Sequence, residues 1–262
     1  MVARLRTGEP AYMHSFGLTE RWLVLVEFPY VVNPLRLAFS GRPYIENYRW
    51  KPELGTRFTL LDRATGAASG PFETDAWFGF HHVNAYEDGD EVVVDVCVFE
   101  DAQVVEDLYL ERLRAGKPVA EPQLRRFRVR PGDGSVASER LSEVGLDLPR
   151  INYGRCNERP YRYCWGVGWG DSGWLESVVK VDVSSHETSV WAEPGCYAGE
   201  PVFVAEPGAE AEDAGVLLSV VLDAERGSSF LLVLDAATLE EVARADAPHH
   251  IPFGFHGQFA PV

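Results

Sequence analysis

The chain contains no apolar run long enough for a bilayer-spanning helix, which needs about 18 or more consecutive nonpolar residues. Cysteine is scarce: Cys97, Cys156, Cys164 and Cys196 are the whole supply, without C-x-x-C spacing. That excludes a dense disulfide framework and a clustered thiolate metal site, and the four read as reduced thiols of a cytoplasmic protein. Basic residues are outnumbered, 24 against 40 acidic, for a net charge of -16. With no basic stripe interleaved with aromatics, a nucleic-acid partner is not expected, and the negative charge is read as a solubility device. No Ser-His-Asp or Cys-His signature points to nucleophilic catalysis. From Val2 to Pro10 the chain is basic and polar, without the apolar segment of a secretory leader. Helical periodicity is nearly absent, and only Ala102 to Ala115 has it, with Val105, Leu108 and Leu113 among charged neighbours.

What is present is the composition of a folded core, 46% hydrophobic and 12% aromatic over 262 residues. A chain of this length and content offsets its ordering entropy and is expected to form a single domain over residues 1–262. The dominant period is two. Short β-rich runs recur at Trp22 to Phe28, Arg57 to Asp62, Glu91 to Phe99, Arg125 to Val129, Ser177 to Val183 and Thr188 to Ala192. More follow at Pro201 to Ala205, Gly215 to Asp223, Phe230 to Asp235 and Glu241 to Ala247. The Gly227-Ser228-Ser229 turn between two almost wholly apolar runs reads as a buried hairpin. The pattern predicts an all-β barrel, sandwich or propeller, and no strict repeat chooses among them. Breaker-rich Arg130 to Ser135 and Pro207 to Asp213 read as surface loops. The apolar stretch Tyr30 to Tyr44 reads as a long loop packed on the body, with peripheral contact at a membrane surface as the alternative.

Three of the seven histidines stand in aromatic phrases beside β-rich runs: His14 in Tyr12-Met13-His14-Ser15-Phe16, His81 in Phe80-His81-His82-Val83-Asn84, and His256 in Phe253-Gly254-Phe255-His256-Gly257. Neutral imidazoles gathered from distant strands suit a borderline first-row metal such as Fe, Zn or Cu. Aromatic surroundings exclude water and favour a defined site. His186, His249 and His250 lie in polar turns and read as surface residues.

Five phrases together carry a resemblance. They are Met13-His-Ser-Phe-Gly-Leu-Thr-Glu20, Phe80-His-His-Val-Asn-Ala-Tyr-Glu87, Leu148-Pro-Arg-Ile-Asn-Tyr153, Glu193-Pro-Gly-Cys-Tyr-Ala-Gly-Glu-Pro-Val-Phe-Val204 and Gly254-Phe-His-Gly257. The chain resembles the carotenoid cleavage oxygenase family, whose branches include carotene oxygenases, lignostilbene dioxygenases and the visual-cycle retinoid isomerase. The phrases follow the family's order across the whole chain. The resemblance implies a seven-bladed β-propeller with Fe(II) on its axis, held by four histidines.

Position by position, it assigns His14, His81 and His256 as the second, third and fourth ligands, with His82 a neighbour that packs beside the site or supports a ligand from behind. It assigns Glu200 as a carboxylate that accepts a hydrogen bond from a ligating imidazole. Asp147 stands where the family has a second such glutamate, one methylene shorter in reach. The first ligand has no match, so the chain is expected to be the C-terminal part of a partial propeller, through a truncated gene, an internal start codon or a misjudged start site that leaves an N-terminal half encoded upstream.

The implied reaction is Fe(II)-dependent addition of O2 across a double bond of a carotenoid or apocarotenoid, giving two carbonyl products. Phe78, Phe80, Tyr153, Trp165, Trp169 and Phe255 are candidates for the walls of an apolar substrate tunnel, with core packing the competing role for each. The rival expectations are cleavage of a stilbene-like alkene, retinoid isomerohydrolase chemistry, a non-catalytic remnant, and a zinc hydrolase using the three histidines.

Overall fold

The structure, a computed structural model, describes residues 2–260. Its regular elements are short antiparallel strands arranged in four meander-like sheets, with a two-stranded ribbon beside them. The first sheet runs Gly17–Leu18, Trp22–Glu27, Thr56–Asp62, Ala68–Thr74. The second is ordered Ser135–Arg140, Gln123–Arg130, Glu91–Val98, His82–Asp88. The third runs Leu146–Arg150, Tyr163–Trp169, Leu175–Asp182, Thr188–Ala192. In the fourth, Cys196–Ala198 and Val202–Ala205 both pair with Gly215–Asp223, followed by Ser228–Asp235 and Glu241–Asp246. The all-β expectation holds, and the buried hairpin pairs Val216 to Asp223 with Asp235 to Ser228 in unbroken register.

Two compact units interleave along the sequence. The first holds residues up to Glu106 with 125–139 and 158–160; the second holds 107–124, 140–157 and the remainder from Tyr161. The core of the first is aromatic: Phe127 stacks on Trp77 at 4.7 Å between ring centres and tilts against Phe58 at 5.3 Å. The core of the second gathers Trp165, Val167, Val178, Leu217, Phe230 and Leu232, all fully buried or nearly so. Trp165 stacks on Phe203 at 4.7 Å, and its indole N–H donates to the Ala236 carbonyl, so its polar atom is satisfied inside the core.

One turn geometry recurs in every sheet. Asp62, Asp182 and Asp235 each end a strand, and one carboxylate oxygen accepts the backbone N–H groups two and three residues on. The residue four on donates to the aspartate carbonyl and has positive φ: Gly66 at 72°, His186 at 64°, Leu239 at 61°. Gly134, at 77° and bonded to the Arg130 carbonyl, closes the second sheet in the same way. Side chain and backbone thus supply the turn's bonds locally, and the next strand is returned in antiparallel register.

Two local expectations change. The helical pattern of Ala102 to Ala115 forms two short helices, Gln103–Asp107 and Leu110–Arg114, because Tyr109 has an extended backbone (ψ 132°) between them. The stretch read as a loop from Tyr30 carries strand Tyr30–Val32, paired with Tyr48–Trp50, and helix Pro34–Phe39, capped by the Asn33 side chain. No described helix is long and apolar enough to cross a membrane.

Candidate metal centre

In the first unit, His14 lies just before the first sheet, on a segment fastened to strand Tyr30–Val32 by Tyr12 N–H to Tyr30 O (2.8 Å) and Val32 N–H to Pro10 O (3.0 Å). His81 lies at the head of strand His82–Asp88, its carbonyl accepting from Cys97 N–H at 3.0 Å. These attachments bring the two imidazoles together: ring centres are 4.9 Å apart and the planes perpendicular. Tyr12 Oη is 3.2 Å from His14 Nδ1. Phe80 packs edge-on to His14 at 5.6 Å, and fully buried Phe78 packs edge-on to Phe80 at 5.0 Å. Burial and the nearby Tyr44 raise the Tyr12 phenol above its ordinary range, so it stays protonated beside His14.

His82, the neighbour of His81, is tied by Nδ1 to Ser15 Oγ at 2.8 Å. Burial, with a smaller contribution from His81, pushes its pKa down to about 3, so this ring is neutral at ordinary pH. Asn84, in the same phrase, donates to the Arg159 carbonyl at 2.9 Å and accepts from the Glu158 N–H at 3.2 Å, fixing the strand to a neighbouring loop.

In the second unit, His256 is oriented by Glu200. The buried carboxylate lies 2.8 Å from His256 Nδ1 and accepts from Gly257 N–H at 2.7 Å and from the Arg150 guanidinium at 2.7 Å. Arg150 also donates to the Gly257 carbonyl. Two backbone features aim these groups. The strand Leu146–Arg150 gains one residue between Asp147 and Arg150, with Leu148 at φ 51°, a bulge that redirects Arg150. Gly199 precedes Glu200 so close to strand Gly215–Asp223 that a Cβ would sit 2.8 Å from the Val220 carbonyl oxygen. His256 and Glu200 border an apolar groove of about 340 Å³, also lined by Val202, Val220, Leu231 and Phe259.

Of the remaining sequence candidates, Asp147 is buried on strand Leu146–Arg150. Trp165 is in the core, Trp169 donates its indole N–H to the Val119 carbonyl, and Tyr153 and Phe255 are exposed. Sequence reasoning passed over Ser15, Asn84 and Arg150 as working residues, although all three stand inside the quoted phrases.

The donor set suits a cation that prefers nitrogen: imidazoles, two of them adjacent and one with its orientation fixed by a carboxylate. Comparison with known proteins identifies the family. The family described as RPE65, retinal pigment epithelial membrane protein, matches residues 2–261. The chain belongs to this family. It is similar to the mitochondrial carotenoid-cleaving dioxygenase of Macaca fascicularis, 34% identical over all of this chain and 55% of that protein. It is similar also to the β,β-carotene 15,15'-dioxygenase of Gallus gallus, 32% identical over 97% of this chain and 55% of that protein. Among solved structures, cobalt-substituted Synechocystis ACO superposes with a TM-score of 0.84 at 26% identity, over 96% of this chain and 53% of the other. The chain therefore spans about half the length of the RPE65-family relatives it matches.

Proposed function

We propose that this chain carries the iron centre of a carotenoid-cleaving dioxygenase, with His14, His81 and His256 as ligands to one Fe(II). The observation that carries the reading is the perpendicular His14–His81 pair at 4.9 Å. It is supported by the Glu200–His256 contact, the arrangement by which outer carboxylates fix a ligating imidazole. Three neutral imidazoles leave the full charge of the cation unquenched. When bound, Fe(II) supplies the electrons that make O2 reactive toward an electron-rich double bond, and the alkene with both oxygen atoms gives two carbonyl fragments.

The protein's own residues bind, orient and exclude water. Glu200 holds the His256 ring with Nδ1 toward the carboxylate, so Nε2 is the nitrogen it would offer the cation. Tyr12, Phe78 and Phe80 wall the His14–His81 pair with aromatic surface. The groove beside His256 gives an apolar polyene a surface to lie along. Leu35 and Phe39 on helix Pro34–Phe39 are 71% and 84% exposed, which favours contact with a membrane surface, where such a substrate is dissolved. The four sheets are assigned as blades of the family's propeller.

Anaerobic Fe(II) loading followed by metal analysis tests the centre. About one iron per chain, lost in His256→Ala, supports it; equal iron in both refutes the assignment of His256. Product analysis with an apocarotenoid under O2 then asks for two carbonyl fragments.

A further inference from the structure

Ser15 occupies an unusual position between the two imidazole-bearing segments of the first unit. Its hydroxyl donates to the Phe80 carbonyl at 2.7 Å and accepts the His82 N–H at 2.9 Å. Phe80 and His82 are the residues on either side of His81, and Ser15 itself follows His14. One side chain therefore pins the backbone on both flanks of one imidazole to the residue next to the other. The third contact, with His82 Nδ1 at 2.8 Å, completes the valence of the oxygen.

The proton count then fixes a tautomer. A serine hydroxyl has one hydrogen and two acceptor lone pairs. With its hydrogen on the Phe80 carbonyl, it accepts from both His82 N–H and His82 Nδ1–H. His82 Nε2 is then an unprotonated nitrogen, and it is buried without a hydrogen-bond partner. The opposite assignment turns the hydroxyl hydrogen toward Nδ1. That takes the donor from the Phe80 carbonyl and buries an unpartnered Nε2–H, leaving two groups unsatisfied where the first leaves one.

We infer that Ser15, with His82 as its Nδ1–H partner, is a positioning residue that holds His14 and His81 in the mutual geometry a shared cation requires. This rests on the proposed metal centre, but the clasp has a signature of its own. His82 is held in the Nδ1–H form, the less common tautomer of a neutral imidazole in water.

The test uses the full chain, with Ser15→Ala and Ser15→Thr. Without metal, ¹⁵N imidazole spectra at neutral pH are expected to show His82 protonated on Nδ1 in the parent and in Ser15→Thr, and on Nε2 in Ser15→Ala. Titration with Co(II), followed by its visible spectrum, is expected to show affinity about 10–100-fold lower in Ser15→Ala and restored in Ser15→Thr, the size of loss typical when outer groups around a metal site are removed. A thermal midpoint measured alongside establishes that the alanine variant is folded. Nε2 protonation of His82 in the parent overturns the clasp. So does a folded Ser15→Ala whose Co(II) affinity and spectrum match the parent. A parent that shows the Nδ1–H tautomer but binds no Co(II) retains the clasp and overturns the metal centre it was inferred to serve.

Discussion

Replacing Glu200 by glutamine changes a carboxylate to an amide of nearly the same shape and puts the electrostatics of the second unit to the test. The carboxylate side chain is 5% exposed and Arg150 17%, so water screens the pair poorly. Three donors converge on it: His256 Nδ1, Gly257 N–H and an Arg150 N–H, at 2.8, 2.7 and 2.7 Å. Hydrogen bonds to a charged group are worth roughly 1.5–3 kcal/mol each, and breaking a buried ion pair costs roughly 3–5 kcal/mol. Glutamine keeps one acceptor oxygen and turns an NH2 group either toward Arg150 and Gly257, a donor–donor clash, or toward His256, which must then carry its proton on Nε2; both lose the charge that paired Arg150. The expected loss is about 2–4 kcal/mol in the second unit, near the low end of the buried-pair range because Arg150 retains some solvent. At a urea m-value of about 2 kcal/mol/M this moves the midpoint down by roughly 1–2 M. Tryptophan fluorescence reports it, since Trp165, Trp169, Trp174 and Trp191 all belong to that unit. Iron or Co(II) affinity should fall about 10–100-fold in parallel. A Gln variant with an unmoved midpoint and unaltered metal affinity refutes both the energetic account of Glu200 and its role in orienting His256.

Further outcomes follow from the same reasoning. Asp95 and Arg126 form a bidentate pair at 2.9 and 2.8 Å with side chains 0% and 9% exposed. Asp95→Leu or Arg126→Met alone should destabilise by roughly 3–5 kcal/mol and the double variant by far less, which a double-mutant cycle in urea measures. The Thr65 N–H, the Arg21 guanidinium and the Thr65 hydroxyl lower the Asp62 carboxyl to about 2. A depressed folded pKa gives stability that is full above about pH 4 and lost as pH falls through about 2, so Asp62→Asn should flatten acid unfolding in that window. His186, exposed at φ 64°, pays the left-handed cost that glycine avoids. His186→Gly should therefore stabilise by up to about 1 kcal/mol in a thermal or urea melt, and a fall in stability contradicts that account.

The hydrophobic period revealed most of the long strands and the buried hairpin of Gly215–Asp223 and Ser228–Asp235, whose register, with Ser228 already in the second strand opposite Asp223, only the structure gives. It missed strands whose residues do not alternate. Ala68–Thr74 contains Gly70 and Pro71, and Ser135–Arg140 is almost wholly exposed; both are outer strands held by a neighbour and a turn. The repeat was hidden for a related reason. The turn at the end of each sheet is defined by an acceptor at its first residue and a positive φ at its fifth. Gly66, Gly134, His186 and Leu239 all meet the second requirement, so letters alone show no repeat.

The site was legible to a different depth. A ligand must have a particular side-chain chemistry, so the proposed ligands His14, His81 and His256, and Glu200 beside them, could be nominated from their phrases. The residues that hold them work through the backbone and through geometry, which a phrase does not encode. Arg150 reaches Glu200 because a bulge turns it there, Gly199 leaves room against the Val220 carbonyl, and Ser15 grips both flanks of His81 with one oxygen. Each is chemically unremarkable in the sequence, yet each fixes an angle. A set of neutral imidazoles offers a cation no attraction by charge, so its affinity depends on how little the rings must move to bind. For the proposed centre, that argument gives Ser15, Arg150 and Glu200 as much energetic weight as the histidines. It also predicts that loosening any one of them weakens the metal before it unfolds the chain.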